Sequence, residues 1–487
     1  MMLTQHRVAV YHQDTPRYST TPPYHPPAAY PECAIVPELD ASNQVYHAVR
    51  EALHLYGLDA AHFGEASWNP LGGVVQPGDT VLLKPNMLTH AHRYNDDWDY
   101  VITHGSVLRA MVDYVYIALQ GQGTIIIADG PQTSAHMDGV KQRLGIEALQ
   151  DLYWRQKRFE LVFLDLRDEF WIEKDGVYTD RVPLRGDPRG NVCINLGKDS
   201  FFAEVDALHR RYYGAFYDID ETNDHHNGGL HEYMISRTAL EADVFISLPK
   251  VKTHRKVGVT LNLKGLVGIN SNKNWLPHYA IGTPGDHGDQ FPHQTMSHRL
   301  ENTLVLKAKR LLLKHNPLLK LAARKLKGVW YGLLGNTDEV VRSGNWYGND
   351  TCWRMVLDLN RILLYANPDG TFRSTPKRYF SVIDGMLGME GNGPIAGIAK
   401  AAGFLVAGYN PLATDLVCTT LMGFDYRKLP MLYRAFDPHR YSLAAFAPEE
   451  ITVLSNYPGY AGPLSTIVPE PSQRFAPHFG WVGQVEL

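Results

Sequence analysis

Cysteine is scarce in this 487-residue chain: Cys33, Cys193, Cys352 and Cys418 stand far apart, with no Cys-x-x-Cys pair. Neither a zinc ribbon nor a ferredoxin-type cluster motif is therefore encoded, and the thiols read as buried or idle. Long apolar runs are missing too. No stretch is long and apolar enough to cross a bilayer, and the opening M-M-L-T-Q-H-R has no signal-peptide core, so the expected location is cytoplasmic. Charge of one sign is also absent. A net charge of −4 exerts no global pull on nucleic acid or anionic membrane, so no nucleic-acid partner is expected and any such binding would be local. No Walker A loop or dinucleotide fingerprint occurs, which leaves ATP and NAD without a motif.

What is present is organised around residues 242–270. The continuous apolar run 244–248 reads as a buried strand. Pro249 stops it, and Lys250, Lys252, His254, Arg255 and Lys256 follow at once, before Lys264-Gly265-Leu266-Val267-Gly268. A charge run by itself usually marks a solvated turn. Apolar segments on both sides instead suggest a cationic loop at the carboxyl end of a strand, where open α/β sheets bind ligands.

The rest of the chain fits an α/β class: a mostly parallel sheet with flanking helices. The length exceeds one average core, so two lobes are expected. An extended proline-rich segment and a helix at 43–56 occupy 1–78, and an α/β core with the basic loop occupies 79–297. A basic helical insertion spans 298–349, and 350–487 completes the core. Within these parts, strands are expected at 7–11, 80–83, 124–128, 160–166, 379–383 and 403–407. Helices are expected at 104–119 (capped by Thr103), 138–152, 231–241, 350–365 and 411–421. Residues 171–200 read as hairpins, and the aromatic- and histidine-rich stretch after Gly268 as a lid. In the insertion, nine Lys or Arg between Arg299 and Lys327 face one acid, Glu301. With its leucines and aromatics, the segment 299–331 suits a membrane surface or an acidic partner; packing on its own domain is the structural alternative.

Four of these strands end in polar residues, and parallel pairing would bring the ends to one rim. On that rim Lys252 and His254 form the expected acid–base pair. Lys250 and Lys264, with Lys84 and Asn86, would hold a phosphate or carboxylate. Gly391, Asn392 and Gly393, in a loop that permits close backbone approach, would offer N–H donors to an oxyanion. Asp129, Asp384 and Glu390, with Asp415, could hold a hard divalent cation. His225, His226, His231, His287 and His293 lack a ligand spacing and read as structural.

These segments carry a resemblance. L-P-K-V-K-T-H at 248–254 and T-L-N-L-K-G-L-V-G-I at 260–269 resemble the family called domain of unknown function DUF 362. Leu83-Lys84-Pro85-Asn86, Ile127-Ala128-Asp129-Gly130-Pro131, Asp384-Gly385-Met386 and Glu390-Gly391-Asn392-Gly393-Pro394 fit it as well. The likeness spans most of residues 79–425. It implies a type of site rather than a reaction. Some members of that family carry a ferredoxin-like module and are called iron–sulfur proteins; the isolated cysteines here depart from that pattern. Two classes follow. One is an enzyme acting on an anionic small molecule by Lys/His acid–base chemistry, with metal assistance as an option. The other is a non-catalytic protein holding an anionic ligand or lipid headgroup. A narrower variant of the first, by analogy of site type, is a racemase or isomerase with a metal-bearing cofactor attached through lysine.

Overall fold

Strands as apolar as 80–83, 124–128, 244–248 and 379–383 need neighbours on both edges and cover on both faces. The computed structural model describes residues 2–35, 38–174, 177–214, 218–295 and 338–487. The basic segment 299–327 lies outside these residues. One 11-stranded sheet organises the chain. Nine strands follow in the order Gly462–Pro463, Thr452–Ser455, Arg7–His12, Ile398–Gly408, Arg378–Glu390, Val244–Leu248, Thr80–Pro85, Thr124–Asp129 and Leu161–Asp165, and Lys250–His254 and Gly258–Val259 pair off this path. From Arg378–Glu390 to Leu161–Asp165 every neighbouring pair is parallel. Ile398–Gly408 runs antiparallel to its two neighbours. The sheet is mixed and mostly parallel, and the α/β class holds.

Alternation along the central strands divides the core between two faces. Leu82, Ile126 and Phe245 face the helices Cys352–Tyr365 and Pro411–Leu421. Val81, Leu83, Val244 and Ile246 face Gln44–Leu55 and Gly105–Leu119. Short polar side chains start two of these helices. Asn43 Oδ1 accepts the Tyr46 N–H, and Asn410 Oδ1 accepts those of Leu412 and Ala413, relieving donors that a helix leaves unpaired.

Several local expectations change. The cap of Gly105–Leu119 is His104, whose side chain accepts the Ser106 N–H. Thr103 instead donates its hydroxyl to the Leu248 carbonyl at 2.5 Å, tying helix to sheet. The helix at 138–152 is broken by Gly145 at φ +67° into Met137–Leu144 and Ile146–Lys157. Much of the expected helix 231–241 is a strand, Leu230–Ser236, followed by the short helix Arg237–Glu241. His231, Tyr233 and Ile235 point inward at period two, and the strand pairs with Asn191–Asn195. The hairpin expected within 171–200 is Glu169–Lys174 against Val177–Pro183. The stretch after Gly268 is no open lid. Tyr279–Ala280 pairs with Tyr212–Tyr213, and Trp275, Leu276 and Ala280 are buried. Among the described residues no helix is long and apolar enough to cross a membrane.

Ile246 is fully buried in the strand between Arg378–Glu390 and Thr80–Pro85. Ile246→Ala should lower the unfolding free energy by about 2–5 kcal/mol. Urea denaturation would show this as a lower midpoint at unchanged slope.

Candidate functional site

The basic run after Pro249 is a strand, not a loop. Proline has no N–H for a ladder, so Val244–Leu248 ends there, but Arg378–Glu390 is 13 residues long and continues past it. Lys250–His254 fills the remaining edge, with Lys250 opposite Asp384 and Lys252 opposite Met389 across a bulge. The Asp384 N–H bonds the Pro249 carbonyl at 2.8 Å between the two segments. All five residues of Lys250–His254 are buried. Alternation sends Lys250, Lys252 and His254 to one face and Val251 and Thr253 to the other.

The three carboxylates expected to bind a metal are each engaged elsewhere. Asp384 lies within its strand and accepts Lys250 at 3.0 Å, the Tyr18 hydroxyl at 2.5 Å and the His104 N–H at 2.9 Å. Lys250 also donates to the Tyr18 oxygen at 2.6 Å, and the Tyr18 ring stacks on His104 at 4.0 Å. Tyr18 comes from the proline-rich segment, whose tyrosines have no periodicity to mark one as a site residue. Asp129 accepts Lys84 at 2.7 Å and the N–H groups of Met87 and Gly130 at 2.8 and 2.9 Å. Glu390 sits at the hairpin turn, accepts the Ala476 N–H at 3.0 Å and lies 3.6 Å from Lys400. The three do not converge. Among the described residues no group of three or more His, Cys, Asp or Glu is placed to share a metal ion. Asp415 accepts the N–H groups of Asn262 and Leu263 at 3.0 and 2.9 Å, fixing the short helix Leu261–Gly265 that carries Lys264. Burial pushes the Asp415 carboxyl up to about 7.

The glycine-rich turn also differs from expectation. The Gly391 N–H goes to the Ala476 carbonyl and the Gly393 N–H to Gly391, so neither is offered to an oxyanion. Asn392 donates its side-chain amide to the Asp338 carbonyl at 2.9 Å. The turn needs glycine for another reason: a Cβ at Gly393 would lie 2.1 Å from the Thr253 carbonyl. Gly268 is as constrained, because a Cβ there would fall 1.6 Å from Asp129 Oδ1 and 3.0 Å from Lys84 Nζ.

Around the Lys84–Asp129 pair the structure gathers buried lysines: Lys84, Lys250, Lys252, Lys256, Lys264 and Lys273. Lys84 and Lys250 have carboxylate partners. Lys252 donates to the Val101 carbonyl at 2.6 Å and to Asn86 Oδ1 at 3.3 Å. Lys256 donates to the Ser343 carbonyl, and Lys273 to the carbonyls of Asn270 and Val267 at 2.6 and 2.9 Å. Lys264, 8% exposed, has neither hydrogen bond nor carboxylate partner among the described residues. Burial, reinforced by neighbouring cations, drives Lys252 well below its ordinary range and lowers Lys264. Lys256 and Lys273 fall from 10.5 to about 7 for the same first cause.

Two histidines complete the cluster. His254 Nδ1 accepts the Lys256 N–H at 3.1 Å, which puts the ring proton on Nε2. His278 Nδ1 lies 2.7 Å from the Leu276 carbonyl and must donate to it, which leaves the lone pair on Nε2. Burial first, then Lys264, pushes both imidazoles well below their ordinary range, so both are neutral. One ring presents a donor and the other an acceptor, and neither Nε2 has a hydrogen bond among the described residues. His278 stood out in the sequence only as part of a loop.

The model of the family described as a domain of unknown function, DUF362, matches residues 81–198 and 199–420. A thylakoid-associated protein of Synechocystis sp. (strain PCC 6803) is 22% identical over 366 residues, 74% of this chain and 70% of that protein. Among solved structures, the lactate racemase apoprotein from Thermoanaerobacterium thermosaccharolyticum aligns at a TM-score of 0.31 and 11% identity. That alignment covers 77% of this chain, which spans 55% of the length of the racemase chain.

Two outcomes follow from the site. Gly268→Ala should break the Lys84–Asp129 pair and cost about 3–5 kcal/mol, the range for orphaning a buried charge, measured by urea denaturation. Between about pH 7 and 10.5, Lys256 and Lys273 are protonated in the unfolded chain but largely neutral when folded. The unfolded state then binds more protons, so stability rises with pH in that window. Thermal unfolding in chloride buffer should show a higher Tm at pH 9 than at pH 7.

Proposed function

The chain belongs to the DUF362 family of domains of unknown function, and on that premise we propose that it is an enzyme acting on an anionic small molecule. The substrate is a phosphate or carboxylate, and the chemistry is Lys/His proton transfer at the carboxyl rim of the parallel sheet. The observation that carries this reading is the charge imbalance. Six lysines are buried together, two of them paired with carboxylates, and Lys264 has no partner among the described residues. An ammonium buried without a counter-ion is destabilised by several kcal/mol, and a bound anion removes that penalty.

Roles follow from the hydrogen bonds. Lys264, with Lys84 and Asn86, holds the anion. A neutral lysine has two hydrogens and one lone pair. Lys252 commits its hydrogens to Val101 and Asn86, which leaves the lone pair to accept a proton. His254 donates from Nε2, and His278 is a second acceptor. Lys250, saturated by Asp384 and Tyr18, positions its strand and does not contact substrate. No step runs through a metal, because Asp129, Asp384 and Glu390 each hold a neighbouring donor.

A second reading, a protein that binds an anionic ligand or headgroup without turnover, is favoured by the thylakoid association in the relative's name and by the basic segment 299–327. Under it, the protein sits in the cytoplasm and touches anionic membrane through 299–331. Flotation with vesicles containing anionic lipid, lost on charge reversal across 299–327, would support that contact.

The enzyme reading is tested by solvent deuterium incorporation into a panel of phosphate and carboxylate metabolites, followed by proton NMR. Wild type should exchange at least one metabolite. Lys252→Met and His254→Gln should each slow it about 100-fold or more while keeping the circular dichroism spectrum. Undiminished exchange in both variants would sink the assignment. Binding without exchange of any metabolite would favour the second reading.

A further inference from the structure

Fully protonated, the lysine cluster would hold more positive charge than one carboxylate ligand can balance. Lys252, Lys256, Lys264 and Lys273 have no carboxylate within ion-pair distance among the described residues. The residues outside that description contain two acids, Asp175 and Glu301. Without a ligand, buried amines relieve the desolvation penalty by releasing protons. An anion entering beside them reverses that balance, because each neutral amine becomes a better ion when protonated.

We propose that the ligand of this site is an oxyanion carrying two or more negative charges, and that its binding draws protons from solution onto the buried lysines. This rests on the anion site proposed above and specifies its ligand class and its pH response. Lys264 is the main acceptor. The groups facing it are Lys84, Lys252, Arg255 and Lys256, the His254 and His278 rings, and the Cys352 thiol at the start of the helix Cys352–Tyr365. None is an anion: burial pushes the thiol up and both rings down, so all three are uncharged. Lys256, the second acceptor, lies 4.7 Å over the Tyr279 ring and faces Arg255, Lys264, Cys352 and Asp289. Asp289 is already occupied by the N–H groups of Ala280 and Asp350 and by the Thr351 hydroxyl, and burial raises its carboxyl to about 6. Among the described residues the carboxylate near Lys256 is therefore committed to two backbone N–H groups and a hydroxyl, and neither amine has a carboxylate of its own.

The test is isothermal titration calorimetry with sulfate, whose charge does not change across the range, and with acetate, at constant ionic strength. Titrations at pH 7.5 and 8.5 use two buffers of different ionisation enthalpy, which gives the number of protons taken up. Sulfate should bind at least tenfold more tightly than acetate, with about one proton taken up and roughly tenfold weaker affinity per pH unit for each such proton. Lys264→Met should weaken sulfate at least tenfold and reduce the uptake, and Lys256→Met serves if that variant does not fold. Lys377→Met is the control. That lysine is buried at the far end of the sheet on the Leu240 and Ala242 carbonyls, and its removal should leave sulfate binding unchanged. Acetate bound as tightly as sulfate would overturn the charge class. Tight sulfate binding without proton uptake would overturn the linkage and leave the anion site standing. No binding of either anion by wild type would overturn the anion site itself.

Discussion

A residue within a sheet has its backbone held by the neighbouring strand and one direction left for its side chain. That constraint acts on Lys250–His254. The 13-residue strand Arg378–Glu390 runs past the end of Val244–Leu248, and its exposed edge is filled by the basic residues that follow Pro249. Backbone pairing thus forces ammonium groups into the protein, and much of the surrounding structure answers that demand. Tyr18 and Asp384 close around Lys250. Carbonyls of Val101 and Ser343 turn toward Lys252 and Lys256.

The same pressure explains the small residues. Gly268 lets the chain pass directly against Asp129 and Lys84, and Gly393 lets the far turn touch the basic strand. Neither glycine serves a turn that requires positive φ; each keeps a side chain out of a space already filled by a polar contact. The carboxylates are part of this answer as well. Asp129 and Asp384 act as counter-ions to Lys84 and Lys250. After every partner is assigned, Lys252, Lys256, Lys264 and Lys273 remain without a carboxylate partner among the described residues, and Lys264 without a hydrogen bond as well.

Much of the fold was legible in the chain. Short apolar runs between turn residues located the strands at 80, 124, 244 and 379, and period 3.6 located the helices that begin near 44, 105, 352 and 411. The mistakes share one cause. His231, Tyr233 and Ile235 alternate, yet the pattern is too short and too polar to exclude a helix. The basic run looked like a loop because lysines are rarely buried, and nothing local indicates that a distant strand is long enough to pair with it. The stretch after Gly268 looked like a lid because its partners are distant in sequence: Trp275 stacks on His225, Tyr279 on Tyr213, and Asn349 donates to the His278 carbonyl.

The sequence by itself determined the α/β class, the family likeness and several of the residues that the structure brings together. Lys84, Asn86, Lys252, His254 and Lys264 could be chosen because strand ends in parallel sheets face one rim, a rule that needs no coordinates. Only the tertiary structure decided which charges cancel. Tyr18 meets Asp384 across 366 residues and His278 joins His254 from a separate loop, and no local periodicity records such pairings. Protonation is decided at that same level. A lysine's charge depends on how much water and how many counter-ions surround it in three dimensions, and the chain order contains neither quantity.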